Sequence, residues 1–245
     1  MLKCCACFLF VSTIATSIFC QEFRLSSYNE NQQLSVLQKH AFADRIEQGS
    51  ITVKNCSVEK IEPEAFYNVN VKKIVITDNT FTYLRRRMFS HVMVDELYLD
   101  HNKIDSIEPG TFNYVLPVYD DALQILSLTH NKLEVVTRGM FSGTNFRKVL
   151  LNYNEIDSIE FGSFEHMPYL LALGLNGNKL QSLGTGIFTN LKNPLFLALA
   201  ENNMHFLHMR AFENSTIMSL DLQKNNLGKI TRESFVHTQI GWLYV

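Results

Sequence analysis

The chain has 245 residues, 46% hydrophobic and 19% charged, with a formal net charge of -2 at pH 7. That length buries a sizeable core, and the near-neutral balance leaves no electrostatic footprint for nucleic acid, so none is expected as a partner. Five cysteines, three of them within the first seven residues, are too few to staple a small domain, and packing must supply the stability.

Lys3 opens the chain with a positive charge, an apolar stretch runs from about Cys4 to Phe19, and polar "QEFR" follows. This is the order of a secretory signal peptide, residues 1–20. Ser12, Thr13 and Thr16 break the stretch, which is too short to span a bilayer, and no other segment approaches the length of a membrane helix. Cleavage falls after Cys20, or after Ser17 where Ala15 and Ser17 give the small-x-small pattern. The mature chain is then secreted or luminal, and "CCAC" (Cys4, Cys5, Cys7) reads as part of the apolar segment rather than a metal site.

From there the chain repeats itself. Residues 21–47 form an amino-terminal cap in which "LSVLQKHAF" (Leu34, Leu37, Phe42) fits the back half of a degenerate copy, and "ITVKNCSVEKIEPEAF" is a weak copy with Cys56 in a key place. Then come "VKKIVITDNTFTYLRRRMF", "VDELYLDHNKIDSIEPGTF", "LQILSLTHNKLEVVTRGMF", "FRKVLLNYNEIDSIEFGSF", "LLALGLNGNKLQSLGTGIF", "PLFLALAENNMHFLHMRAF" and "IMSLDLQKNNLGKITRESF". The shared frame is LxxLxLxxNxLxxLxxxxF, and the asparagines Asn79, Asn102, Asn131, Asn154, Asn178, Asn202 and Asn225 stand 23, 29, 23, 24, 24 and 23 residues apart.

The frame resembles the leucine-rich repeat in its longer, phenylalanine-spine form, common in extracellular proteins. The resemblance implies an α/β solenoid, a curved horseshoe over residues 48–245. A parallel sheet would line its concave face, with short helical or irregular segments on the convex one. It also implies that each asparagine turns inward onto unpaired main-chain groups as a structural ladder, and allows cysteine in that place at Cys56. A disulfide from Cys56 to Cys20 is the alternative. With Phe23 to Leu25 paired in parallel beside Ile51 to Val53, the two cysteines project past opposite ends, and only an antiparallel cap would join them.

Within each LxL strand the leucines point inward and the residue between them outward, so partner-binding residues must sit on the outward columns. Tyr98, Asp100, His101, Thr129, His130, Leu150, Asn152 and Tyr153 make one candidate patch; Phe196, Ala198, Ala200, Trp242 and Tyr244 make a flatter apolar one. Aromatic side chains in polar surroundings are the composition of binding hot spots. Asp78, His101 and His130 share a column, but a straight row spanning about 10 Å cannot converge on one metal, so no metal and no cofactor are expected. No HExxH, GxSxG or phosphate-cradling loop occurs, and an open sheet offers no oxyanion pocket, so the chain is not expected to be an enzyme.

Off the sheet, Arg85 to Arg87 lie on the back of a coil, a solvated face or a site for acidic polysaccharide. The long interval after Asn102 marks an insertion within Asn113 to Ala122, which either packs on its own coil or touches a partner. Asn55-Cys56-Ser57 and Asn214-Ser215-Thr216 are glycosylation acceptors. The chain ends on "IGWLYV", inside a strand and before its asparagine. It is expected to be truncated in mid-repeat, with self-association possible through the uncapped end. The expected function is extracellular protein recognition of a protein ligand or co-receptor, as in Toll or chaoptin ectodomains and the mosquito leucine-rich immune proteins, with innate immunity among the roles. The alternative is a matrix component resembling the small leucine-rich proteoglycans, whose cysteine cluster before the repeats is absent here.

Overall fold

A computed structural model of the chain describes residues 16–19, 35–44, 46, 49–119, 122–188, 191, 193–228 and 230–245. Ten strands form one parallel sheet in which neighbours in space are neighbours in sequence. They are Thr16–Phe19, Ser50–Lys54, Lys73–Thr77, Glu96–Tyr98, Ile125–Ser127, Lys148–Leu150, Ala172–Gly174, Leu195–Ala198, Thr216–Asp221 and Gln239–Tyr244. The first lies inside the segment read as a signal peptide, and the other residues before Ser35 lie outside the described ones.

The register aligns the repeat frame with itself. Ile51, Ile74, Leu97, Leu126, Val149, Leu173, Leu197, Leu220 and Leu243 form one inward row, all but the last buried. The outward row beside it runs Thr52, Val75, Tyr98, Ser127, Leu150, Gly174, Ala198, Asp221, Tyr244. Alternation along each strand therefore commits half the side chains to the core and leaves the rest on the concave face. Met218 is an extra residue that bulges from the Thr216–Asp221 strand.

At the back of each coil, Phe42, Phe66, Phe89, Phe112, Phe141, Phe164, Phe188, Phe212 and Phe235 stack in a spine with centroids 5.1 to 6.3 Å apart. No coil could bury its ring without a neighbour on at least one side, so the coils stabilise one another. The convex side is built of turns and two-residue strands, such as Tyr83–Leu84 beside Ser106–Ile107. Its one helical piece among the described residues is the 3₁₀ turn Arg232–Phe235.

The inserted segment packs on its own coil at its root. Val115–Leu116 pairs with Val92–Met93, the Val118 N–H donates to Asp95 Oδ1 (2.8 Å) and Gln124 Nε2 donates to the Val94 carbonyl (2.9 Å). Val115 is buried, whereas Tyr114, Leu116, Tyr119 and Leu123 remain exposed. Arg85, Arg86 and Arg87 are exposed too, with Arg85 over the Tyr83 ring (5.9 Å to its centroid) and the Arg86 N–H on Glu108 (2.6 Å).

Between the strand and the back of the coils from Asn79 to Asn225, an asparagine, buried in all but the last, closes the turn. Asn154 Nδ2 donates to the carbonyls of Leu128 (2.9 Å) and Leu151 (3.0 Å), and its Oδ1 accepts the Leu133 N–H (3.2 Å). Asn102, Asn131, Asn178, Asn202 and Asn225 repeat the donor pattern, each bonding carbonyls of its own coil and one of the coil before. Asn79 does so through Thr77 and Val53, and its Oδ1 takes the N–H groups of Cys56 and Val58.

Cys56 does not extend this ladder. It is disulfide-bonded, so its sulfur, 3.3 Å from the Lys54 carbonyl, has no proton to donate. Cys20, the partner weighed from the sequence, lies outside the described residues. The strand beside Ser50–Lys54 is Thr16–Phe19 and not Phe23 to Leu25. It runs parallel with Phe19 opposite Lys54, so the expected opposition of the two cysteines loses its premise.

Asn154→Ala should strand the Leu133 N–H in the core and lower stability by about 3 kcal/mol. Exposed Asn203→Ala should stay within about 0.5 kcal/mol. Urea midpoints of the two variants check this, and equal midpoints would contradict the assignment.

Candidate functional site

The asparagine turn dictates the backbone just before it. Asn55, Asp78, His101, His130, Tyr153, Gly177, Glu201 and Lys224 all lie in the left-handed region, with φ from 53° to 65°. Their side chains consequently form a row along the rim of the concave sheet, one per coil. The His101 and His130 rings stack with centroids 4.2 Å apart and planes 16° apart, and Tyr153 stacks on His130 at 4.8 Å and 27°. These separations match the ~4.8 Å spacing of the strands beneath them. Tyr153 extends over Gly177, where a Cβ would fall 2.4 Å from the ring. Ion pairs bound the aromatic segment: Lys54 with Asp78 (3.7 Å) on one side and Lys224 with Glu201 (2.5 Å) on the other.

Other residues singled out in the sequence are engaged elsewhere. Tyr98 is half-buried, with Lys73 Nζ 4.5 Å from its ring centroid and its hydroxyl donating to Glu96 Oε2 (3.2 Å). Burial, then the Glu96 carboxylate, pushes the Tyr98 phenol above its ordinary value. Asp100 Oδ1 accepts from the Ser127 hydroxyl (2.5 Å) and the Thr129 N–H (2.7 Å). Asn152 Oδ1 accepts the Asn176 N–H (2.9 Å), and Asn176 Oδ1 the Ala200 N–H (2.8 Å). These short polar side chains brace backbone groups just past the strands, which leaves them less to offer a ligand.

The apolar patch is not flat. Ala172, Gly174 and Ala198 sink the sheet into a depression of about 410 Å³ lined also by Lys148, Leu150, Phe196, Asp221 and Tyr244. Gly174 admits the Asn152 amide, which a Cβ would meet at 2.7 Å. Phe196 and Tyr244 are about half exposed, and Trp242, in the Phe196 row across Ser219, is 66% exposed. Sequence reasoning did not single out Lys148, Gly174 or Asp221 here; a run of small residues on outward positions was the available signal. It also passed over a second exposed ring ladder on the flank, His40–Tyr67–His91–Tyr114, with centroids 5.8 to 5.9 Å apart. Among the described residues, no group of three or more His, Cys, Asp or Glu could hold a metal ion, and no helix is long and apolar enough to cross a membrane.

A parallel solenoid with an asparagine ladder, a phenylalanine spine and an open concave sheet defines a class of repeat proteins. The chain belongs to the leucine-rich-repeat proteins: a model described as BspA type leucine rich repeat region matches residues 12–120, and the leucine rich repeat model matches 121–180. Similar curated proteins include human leucine-rich repeats and immunoglobulin-like domains protein 1 (26% identical over 76% of this chain and 15% of that one). Others are Tsukushi of Xenopus tropicalis (28%, over 57% and 39%) and lumican of Gallus gallus (23%, over 88% and 65%). The chain thus spans less than two thirds of each of these relatives. In fold it is similar to the receptor of a TLR13–ssRNA13 complex, with a TM-score of 0.67 and 24% identity over 77% of this chain and 26% of that one. It is also similar in fold to a chain of the Drosophila Toll–Spatzle complex (TM-score 0.52, 17%, over 81% and 33%).

Gly177→Ala should push the Tyr153 ring aside. It should remove the ring-current shift on His130 in NMR spectra and cost about 1 kcal/mol for the left-handed backbone. An unshifted His130 would mean that the stack does not hold in solution.

Proposed function

We propose that the chain is a non-enzymatic extracellular binding protein that receives a protein ligand or co-receptor on its concave sheet. The observation that carries this reading is the His101–His130–Tyr153 stack. It presents a rigid aromatic strip, with Tyr153 47% exposed, between ion pairs and among polar groups already satisfied. Pre-stacked rings lose little conformational freedom on binding, and aromatic side chains dominate interface hot spots.

A matrix or adhesion role is the second reading. Lumican, asporin and keratocan among the relatives favour it, with asporin of Bos taurus 28% identical over 148 residues. Innate immunity has only the fold likeness to Toll-type receptors behind it. Both readings need the same concave surface, and they differ in whether the ligand is a soluble factor or a fibrous assembly.

Replacing His101, His130 and Tyr153 together by alanine should weaken binding to a ligand captured from the extracellular medium by at least about 2 kcal/mol while leaving the melting temperature in place. Unchanged affinity would remove the stack from the interface. Expression through a secretory pathway should place glycan on Asn214, whose side chain is exposed. Peptide mass analysis after glycosidase treatment in heavy-oxygen water reads this out. An unmodified Asn214 counts against the extracellular reading. Asn55, also exposed, stands on the rim next to Asp78, so a glycan there would confine a ligand to the coils from Tyr98 onward.

A further inference from the structure

The depression around Gly174 brings together a lysine without an ion pair and a lightly engaged carboxylate. Elsewhere on the concave face, among the described residues, Lys54 pairs with Asp78, Lys73 with Glu96 (3.3 Å) and Lys224 with Glu201, while the Asp100 carboxylate holds two donors, Ser127 and Thr129. At the depression, Lys148 makes no side-chain hydrogen bond or ion pair among the described residues. The Asp221 carboxylate accepts one N–H, that of Gln223 (3.0 Å), and acts on Lys224 at longer range than a contact pair. A lysine with no ion pair and a carboxylate with no contact ion pair, among the described residues, thus flank a hollow walled by Leu150, Phe196 and Tyr244.

The spacing decides what fits. Lys148 shares a row with Ala172, Phe196 and Ser219, and Asp221 lies two residues beyond Ser219. Three strand spacings of ~4.8 Å and two residue steps of ~3.3 Å put the two Cα atoms roughly 16 Å apart. Four residue steps of an extended peptide cover roughly 13 Å, and alternate side chains of such a peptide face the same way. Long charged side chains at its ends reach the remaining distance. A lipid chain would find polar ends where it needs an apolar trough, and a folded element would not enter a cavity of about 410 Å³.

Resting on the concave-face reading above, we infer that the depression is a subsite for an extended segment of the protein ligand. The segment presents, at alternate positions, an acidic side chain to Lys148, a bulky apolar side chain to the hollow, and a basic side chain to Asp221. Burying the apolar anchor supplies affinity, and the two charges supply selection by penalising a like charge at either end.

The test uses the full chain and blocked, fluorescein-labelled heptapeptides with phenylalanine at the centre. Two positions to either side, the peptides carry one glutamate and one lysine, two glutamates, or two lysines. Wild type should bind the mixed peptide about tenfold more tightly than either uniform one. Lys148→Glu should transfer the preference to the doubly basic peptide, and Asp221→Lys to the doubly acidic one. Replacing the central phenylalanine by alanine, or filling the hollow with Ala198→Phe, should abolish binding of the mixed peptide. Trp242, the one tryptophan of the chain, lies on the Tyr244 strand and gives a label-free second signal. Lys148→Ala and Asp221→Ala, which flatten the ranking instead of inverting it, stand in if a charge reversal fails to fold. Equal binding of the three peptides, no binding of any, or a ranking unmoved by the variants overturns the subsite. If the His101, His130 and Tyr153 triple variant still loses the natural ligand, the concave-face reading survives that failure; if it does not, both fall.

Discussion

Each buried asparagine amide donates to its own coil and to the one before it, and accepts an N–H from the preceding coil as well. The carbonyls of Leu99, Leu128, Leu151, Leu175 and Leu199 each receive two successive amides, so the ladder is a continuous chain of hydrogen bonds along the solenoid. A coil cannot slide against its neighbour without breaking it, and a one-residue slip would turn every inward leucine outward. The same turn forces the residue before the asparagine into the left-handed region, a cost of ~1–2 kcal/mol for a side chain with a Cβ. Seven residues of the row accept that strain, and Gly177 alone avoids it. The ladder offsets the strain and, in doing so, fixes where the rim side chains stand. The aromatic strip is thus a by-product of how the core is closed.

How much of this was legible follows from which constraints are periodic. The inward and outward rows could be read from the LxL spacing, because alternation in a strand is geometric and the asparagine intervals lock the register. The packing of Phe89 on Phe112 and on through Phe235 was equally plain from the last position of the frame. What escaped was set by neighbouring side chains. Nothing in the sequence says that Asp100 and Asn152 bend back to brace the N–H groups of Thr129 and Asn176, or that Tyr98 shelters beneath Lys73. Nor does it say that Ala172, Gly174 and Ala198 open a hollow in place of a flat apolar strip. Reading Cys56 as a stand-in for asparagine followed the repeat frame faithfully. It failed because the Cys56 sulfur is held in a disulfide, a bond that the repeat frame does not encode.

The concave face divides by what each column is free to do. Residues directly after the LxL, such as Asp100, Asn152 and Asn176, lie close to backbone donors of the next strand and are spent on them. Left-handed rim residues project past those donors, so their rings stack on one another. The row through Lys148 and Phe196 stands on the strands themselves, where no exposed backbone group competes for it. Freedom from structural duty therefore rises on both sides of the bracing column, and both candidate contact zones sit there. A ligand spanning them would cross the braced column without needing to displace any of its hydrogen bonds.

The insertion after Phe112 shows the limit of periodic control. It adds residues at one turn and leaves the sheet register on both sides intact: Leu97 still pairs with Leu126, and His101 still stacks on His130 across it. Asp95 and Gln124 tie down its root, and Pro117, just after the Val115–Leu116 edge strand, withholds an N–H there that a stray strand could use. The exposed Tyr114 meanwhile continues the flank ring ladder begun at His40. A solenoid can thus gain surface at a single coil so long as the amide ladder is uninterrupted. Because the intervals on either side of the insertion return to the common repeat length, new contact chemistry can arise on such a flank without cost to the concave site.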